Sequence, residues 1–492
     1  MNYFKISLAA STALTLSMTA ALADNNSTSL KQSGQDNDAR VEQSGDNNAA
    51  GSDITMTSTY GLAEESILQD GDNNNMDLVQ SGDGNFMGAM LHQSQIKANY
   101  FKQIGDNNDL EATQSGDGNA LRRFSQTANA PTTTDTNNAT IEQSGDGNLI
   151  GSNGVDQSYS GSGDANDIDI LQSGNNNSAN WVTQAGNGNE LIVTMSGDGN
   201  KLYRVLQSPR SSAPAGVDNY ALVNISGNNN GNGALTGDFS GAAGADSSFI
   251  SQRGVDNRTT VDLSGDNNEY GVRQDGSFNR ATGIIVTGDL NSVGVYQYND
   301  NNRIALTTVT GDDNSIGFRQ VGYNNEAAAD IVGNLNRSLI EQLGSDNNSE
   351  LWVVGDSNTA KLLVDGNSNV LNGQQRFGND NTMTVNVSGN NNNNSGSFFT
   401  GDALSARNDA NAATGLTFGR GELWQHGSDN ELTLDMSGND NLFATLQQGS
   451  NNTIVGSMSG GNSNQAVVAQ IGSANVASFA QVGSFNNVGI TQ

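Results

Sequence analysis

The chain has 492 residues with 21 Lys or Arg against 52 Asp or Glu, a net charge of −31, together with 60 Gly, 3 Pro, 2 His and no Cys. A phosphate backbone needs clustered Lys and Arg, so no nucleic-acid partner is expected. Disulfides, thiolate metal sites and cysteine nucleophiles are excluded, and with only two distant histidines no metal or other cofactor is expected.

From the N-terminus, Met1 to Ala23 carries Lys5, an apolar run through Ile6, Leu8, Leu14 and Leu16, and the close Ala21-Leu22-Ala23. This predicts a secretory signal peptide over 1–23 and a mature chain over 24–492. The run is too short and too interrupted by Ser and Thr to span a bilayer, and no later stretch approaches about 18 consecutive apolar residues. No transmembrane anchor is expected, and the protein is expected to leave the cytoplasm.

One phrase then recurs. Gln32-Ser-Gly34-Gln-Asp-Asn37 returns as Gln43-Ser-Gly45-Asp-Asn-Asn48, and it opens again at Gln69, at Gln80 (with Gly82 and Asn85), at Gln103, at Gln114 (Gly116, Asn119) and at Gln143. Further on it returns every 22 or 23 residues at Gln252 (Gly254, Asn257), Gln274 (Gly276, Asn279), Gln297, Gln320 (Gly322, Asn325) and Gln342 (Gly344, Asn347). Midway, Leu263, Val286, Val309 and Ile331 take the glutamine's place. Gln297 is followed by Asn299 where Gly is expected, and Asn tolerates the same left-handed turn. The scheme resumes at Gln425, Met436, Gln447 (Gly449, Asn452), Met458 and Gln470 (Gly472, Asn475), and its last full copy is Gln481-Val-Gly483-Ser-Phe-Asn486.

Between one Asn and the next Gly, apolar residues alternate, as in Asn189-Glu-Leu191-Ile-Val193-Thr-Met195 and Asn430-Glu-Leu432-Thr-Leu434-Asp-Met436. A period of two bounded by Gly and Asn predicts a strand with one buried face, with Gly and Asn supplying the left-handed conformations of the turns. Two strands per 22 or 23 residues predict an all-β fold, a β-solenoid of stacked strand-turn-strand rungs. Equivalent glutamines would then stack about 4.8 Å apart and bond amide to amide. In the second half this pattern predicts a Gln ladder in one sheet and a Val/Leu/Ile/Met ladder in the other. Stretches near 49–66, 129–139, 153–162, 208–220, 231–248 and 393–421 break the phrase, two of them holding all three prolines, and are expected to be loops bulging from rung edges. The closing Val488-Gly-Ile490-Thr-Gln492 starts another strand, which is expected to be uncapped by any helix and open to end-to-end stacking.

A signal peptide followed by these phrases, at half-spacings of 11 and with alternating apolar residues before each Gln, resembles the curlin repeat of bacterial curli fibres. The resemblance implies an extracellular functional amyloid, exported unfolded through a curli-type secretion channel, aided by a nucleator, and polymerised at the cell surface into adhesive biofilm matrix. The Gln, Gly and Asn of each phrase are the residues it carries over. The chain is longer than an ordinary curlin subunit.

Other chemistries fare less well. Aspartates follow many turn glycines (Asp46, Asp83, Asp117, Asp146, Asp198, Asp266, Asp312). They lack the paired-glycine pattern of calcium-binding nonapeptides and read instead as charges that limit lateral aggregation. His92 and His426 have no nucleophile or base at catalytic spacing, Trp181, Trp352 and Trp424 fall in expected strands, and the glycine-rich stretch 227–233 precedes no amphipathic helix that would make a phosphate loop. The expectation is a structural fibre protein and not an enzyme; a monomeric solenoid adhesin or ligand-binding rod is the alternative.

Overall fold

The computed structural model describes residues 24–52, 67–89, 101–128, 137–159, 164–209, 218–394 and 398–492. The expected signal peptide lies outside the described residues, as do His92 and parts of the expected loops. The chain forms two compact units, Met1–Asn232 with Ser248–Arg258, and Gly233–Ser247 with Thr259–Gln492.

In the first unit, the half-rungs alternate between a front and a back sheet, the front stretch of some rungs being split into two short strands. The front sheet stacks Leu30–Ser33, Ile67–Asp70, Phe101–Ile104, Phe124–Ala128, Leu149–Tyr159, Ser178–Ala185, Lys201–Ser208 and Phe249–Arg253, every pairing parallel. The back sheet stacks Asp38–Ser44, Asn75–Ser81, Asn108–Ser115, Asn137–Ser144, Asn166–Ser173, Glu190–Ser196 and Tyr220–Ser226 in the same sense. The second unit repeats the plan. Its front sheet runs from Glu269–Asp275 through Ser315–Val321 and Thr382–Ser388 to Val476–Val482. Its back sheet runs from Arg280–Thr287 through Asn348–Val354 and Val370–Arg376 to Asn487–Thr491. Each unit is a β-solenoid.

The alternation in sequence becomes alternation in burial. In Glu431–Ser437, Leu432, Leu434 and Met436 are buried while Thr433 and Asp435 face outward. One inward row per strand makes a core one side chain deep from each sheet, and it contains the phrase's Gln and Asn as well as its apolar residues.

Turn chemistry departs from expectation in one respect. Gly opens most turns in the left-handed region, but the second left-handed residue is the one before the closing Asn. Asn47 has φ 60° and Asp256 φ 50°, whereas Asn48 and Asn257 are buried. The closing Asn is a core residue whose amide bonds the turns. Asn299, in the glycine slot, adopts φ 70°.

Several stretches expected as loops are ordered elements. Ala49–Ser52 is a strand paired with Phe86–Ala89, and Asn137 to Ala139 open a back strand. The expected loop 153–162 lies largely within the strand Leu149–Tyr159, which absorbs it by a register shift between Ile150 and Gly154. Gly151 and Gly154, at φ 71° and 124°, allow that bulge, and Val155 and Gln157 then return to the inward row. The stretch 231–248 contains a short 3-10 helix, Gly241–Ala243, and the stretch 393–421 contains helix α1, Gly401–Thr414. The closing strand is also not free of a helix, because α1 packs on its outer face. Asn487 Oδ1 accepts the Ala403 N–H at 2.7 Å, and Thr491 Oγ1 donates to Ala406 O at 3.4 Å.

Turn glycines stack so closely that side chains are excluded. At Gly344, φ is 114° and a Cβ would lie 2.0 Å from Gly366 O. Gly344→Val should therefore cost the left-handed penalty of about 1–2 kcal/mol plus the clash. Hydrogen exchange should accelerate in Arg337–Leu343 and Thr359–Asp365 while Lys201–Ser208 keeps its protection, since rungs interact mainly with neighbours.

Candidate functional site

The fold brings the phrase residues into four kinds of continuous row. In the front sheet of the first unit, Nε2 of each glutamine donates to Oε1 of the next along Gln32, Gln69, Gln103, Gln126, Gln157, Gln184, Gln207 and Gln252, at 2.7–3.0 Å. The back sheet carries a second row along Gln43, Gln80, Gln114, Gln143 and Gln172, at 2.7–3.0 Å. The remaining amide hydrogen goes to main chain. Gln69, for instance, also donates to Asp38 O at 2.9 Å, so an amide with no access to water is satisfied on every side.

The closing asparagines form rows at both turn edges. Asn48 Nδ2 donates to Ser44 O in its own turn at 2.9 Å and to Gly82 O in the next at 2.8 Å, and its Oδ1 accepts the Asn85 N–H at 2.9 Å. Asn85 does the same toward Gly116 and Asn119. In the second unit, Asn325 and Asn347 donate to Gly344 O and Gly366 O at 2.8 and 2.7 Å, and Asn452 donates to Gly472 O at 2.9 Å. Asn475 and Asn486 end these rows, bonded to Asn452 and Asn464 at 3.0 Å. Asn37 reaches Gly71 O at 2.7 Å, and Asn257 Nδ2 bonds Asn219 Oδ1 at 3.0 Å. Asn279 donates to Asn299 O, and Asn302 Nδ2 donates to its Oδ1.

The fourth row is the turn carboxylates. Asp83 Oδ1 accepts the Asp46 N–H at 2.7 Å, Asp117 that of Asp83 at 2.8 Å, and Asp146 that of Asp117 at 2.9 Å. Asp198 accepts from Asn175, Asp289 from Asp266, and Asp312 from Asp289. Each carboxylate is thus committed by one oxygen to stitching adjacent turns. Among the described residues, no group of three His, Cys, Asp or Glu is arranged to hold a metal ion.

In the second unit the glutamine row changes sheet, contrary to the expectation of one Gln sheet and one aliphatic sheet. The front sheet stacks Gln274, Gln297, Gln320 and Gln342 at 2.8–2.9 Å and then continues with Val364, Val387, Met436 and Met458. The back sheet begins with Val286, Val309, Ile331 and Val353 and continues with Gln375, Gln425, Gln447, Gln470 and Gln492 at 2.9–3.1 Å. The cause is two aliphatic slots in succession, Val353 and Val364, which shift the alternation by half a rung. A row that starts above an aliphatic rung has an acceptor with no donor beneath it. Gln375 above Val353 and Gln481 above Met458 each leave a buried Oε1 unpartnered. A row that stops does not, because Gln342 Nε2 turns to Ser349 Oγ and Glu326 O.

Several ladder members were not singled out from the sequence. Gln126, Gln157 and Gln207 are followed by insertions where a Gly turn is expected, and Gln375 has an extra residue before Gly378. Their signal was the strand itself, an apolar residue two positions before the Gln, as in Phe124, Val155 and Val205.

The tryptophans and the described histidine occupy outward strand positions, where Trp424 packs against the cluster under α1 and His426 is buried. The Arg204 guanidinium lies 4.2 Å from the Trp181 ring, and that of Arg376 lies 3.6 Å from Trp352. Trp424 stacks on His426 at 5.4 Å. The 227–233 stretch is an ordinary turn of the solenoid, in which Gly227 O accepts from Asn200 and Asn230 bonds Asn200 Oδ1.

The fold and its amide rows define a repeat β-solenoid. The family model of the curlin associated repeat matches residues 23–54, 163–201 and 311–344, stretches that hold Gln32 and Gln43, Gln172 and Gln184, and Gln320 and Gln342. The chain is therefore similar to the curlin associated repeat over these three stretches. No curated protein matches it.

Two predictions follow from this geometry. Gln320→Val interrupts a row and strips Gln342 Oε1 of its donor, whereas Gln342→Val only shortens the row. Urea unfolding should show a loss of about 1–3 kcal/mol for the first and a clearly smaller one for the second. His426 is 8% exposed, and burial first, then Arg376, pushes its pKa down to about 4 from 6.5. Above pH 6.5 the ring is neutral whether folded or not. As pH falls from 6.5 to 4 the unfolded chain alone takes up the proton, so stability declines over that window. His426→Phe should reduce the difference in urea midpoint between pH 7 and pH 4.5.

Proposed function

We propose that this protein is a secreted structural subunit that polymerises into curli-like extracellular amyloid fibres serving cell adhesion and biofilm matrix. The observation that carries the reading is the in-register parallel stacking of amides from rung to rung. The same bonds that join one rung to the next would join the last rung of one copy to the first of another, without any new kind of contact. The curlin associated repeat supports it, as curlin repeats are those of fibre subunits. Met1 to Ala23 would direct export, through a curli-type secretion channel with a nucleator at the surface. The ladder and turn residues then act as structure and not as catalysts; the phrase aspartates are hydrogen-bonded into the turns, and His426 is buried against Phe377 and Trp424.

Residues 24–492, diluted from denaturant, should form fibres that bind thioflavin, seed their own growth, and diffract at about 4.7–4.8 Å. A soluble β-rich monomer that never polymerises under seeding would overturn the reading and leave a solenoid adhesin or ligand-binding rod in its place.

A further inference from the structure

Both ordered insertions of the second unit lie flat on the outward face of a sheet, and both reach forward over strands that come later in the chain. Residues Gly233–Ser247 cross the front sheet. Ser247 Oγ donates to Glu269 Oε2 at 2.5 Å, Ser240 N–H to Ser315 Oγ at 3.3 Å, and at the far end Lys361 Nζ lies 4.0 Å from Asp238 Oδ2 and 4.9 Å from the Phe239 ring centre. Beneath the segment the outward positions are Gly271, Gly294 and Gly317. A Cβ there would lie 2.1 Å from Asp246 O, 2.2 Å from Ser240 O and 2.2 Å from Phe239 O, so backbone rests on backbone.

Helix α1 covers the end of the back sheet in the same manner. Ala403, Ala406 and Ala410, one helical face, pack with Phe399 and Phe418 on Leu442, Ala444, Leu446, Val467 and Ala469. At Gly489 a Cβ would lie 2.0 Å from Asp402 O. Where neither insertion lies, outward positions carry ion pairs between rungs, such as Arg319 with Glu341 and Arg303 with Glu326. Beneath both insertions the outward residues are mostly small or apolar and are buried by the cover, whereas apolar outward residues elsewhere, such as Ile285 and Val455, stand singly and stay exposed.

A bare, flat sheet face of Gly, Ala, Val and Leu is the surface on which a second, identical face interdigitates as a dry zipper. We propose that Gly233–Ser247 and helix α1 are lateral shields, occupying in cis two sheet faces on which a second copy would otherwise stack, so that association is confined to the strand-stacking direction. This rests on the reading of the chain as a fibre subunit.

The test uses residues 24–492 carrying Ala406→Asp with Ala410→Asp, which drives α1 off its face, and the same chain with Ala444→Lys and Val467→Glu added, which charges the face left bare. Protease cleavage within 398–421 verifies release of the helix, and hydrogen-exchange protection in Ser315–Val321 verifies the fold. The first variant should give fibres at least about twofold wider by electron microscopy, with a new sheet-stacking reflection near 10 Å, and the second should return to the width of the parent. Lys361→Ala with Phe239→Ala loosens the other shield and should widen fibres independently. A released helix with unchanged fibre width overturns the proposal, as does widening that the charged face fails to reverse. Should the parent form no fibres, the fibre reading falls by itself, and light scattering on the soluble chains then decides the shield. A released-helix variant at least twofold heavier than the parent upholds it, and one of equal mass overturns it.

Discussion

A primary amide buried without partners costs more than most single apolar contacts return, and this chain buries dozens of them. The cost is met chiefly by placing an identical amide directly above and below, with main-chain carbonyls taking the remaining hydrogen. That demand fixes the rest of the architecture. Rungs must stack parallel and in register, because a slip of one residue would turn every Gln outward. Turns must hold one height, and this brings carbonyl oxygens of the next rung's glycines to 1.8–2.3 Å from where a Cβ would sit. The core must stay one side chain deep, since a second layer would separate the amides from the main-chain carbonyls that take their remaining hydrogen.

The ladder also explains how aliphatic residues can replace Gln without a change of fold. Val and Met occupy the same inward slot and need no partner, so a rung needs Gln in neither sheet for packing reasons. What is constrained is the run. Gln274 to Gln342 in the front sheet and Gln375 to Gln492 in the back sheet are uninterrupted, and the strain of a discontinuity falls on one carbonyl oxygen at each start, at Gln375 and Gln481. An amide row is polar and directional, ending in a donor side at one end and an acceptor side at the other, a complementarity that suits joining copies as well as joining rungs.

The outward faces answer a different problem. Strand edges favour growth along the stacking axis, whereas broad sheet faces favour bundling across it. Cross-rung ion pairs, turn carboxylates and two packed insertions divide that outer surface among them, and a net charge of −31 adds repulsion between copies.

The Q-x-G-x-x-N phrase and the period of two were enough to determine the all-β solenoid, the inward Gln and the left-handed glycine turns, because these follow from local spacing and from a burial rule that repeats at every rung, whereas the burial of the closing Asn was not legible there. Tertiary structure alone decided the rest. Gln126, Gln157 and Gln207 entered the ladder without their turn, since a neighbour's amide holds a glutamine as well as its own loop does. The glutamine row crossed from front to back at Val353 and Val364 because these two aliphatic slots follow one another, and strand pairing set Val364 on Gln342 and Gln375 on Val353. The segments 231–248 and 393–421 read as loops because what orders them is contact with Gly294, Gly317, Val467 and Gly489, residues tens of positions away that look like any other strand residue until the face they leave bare is covered.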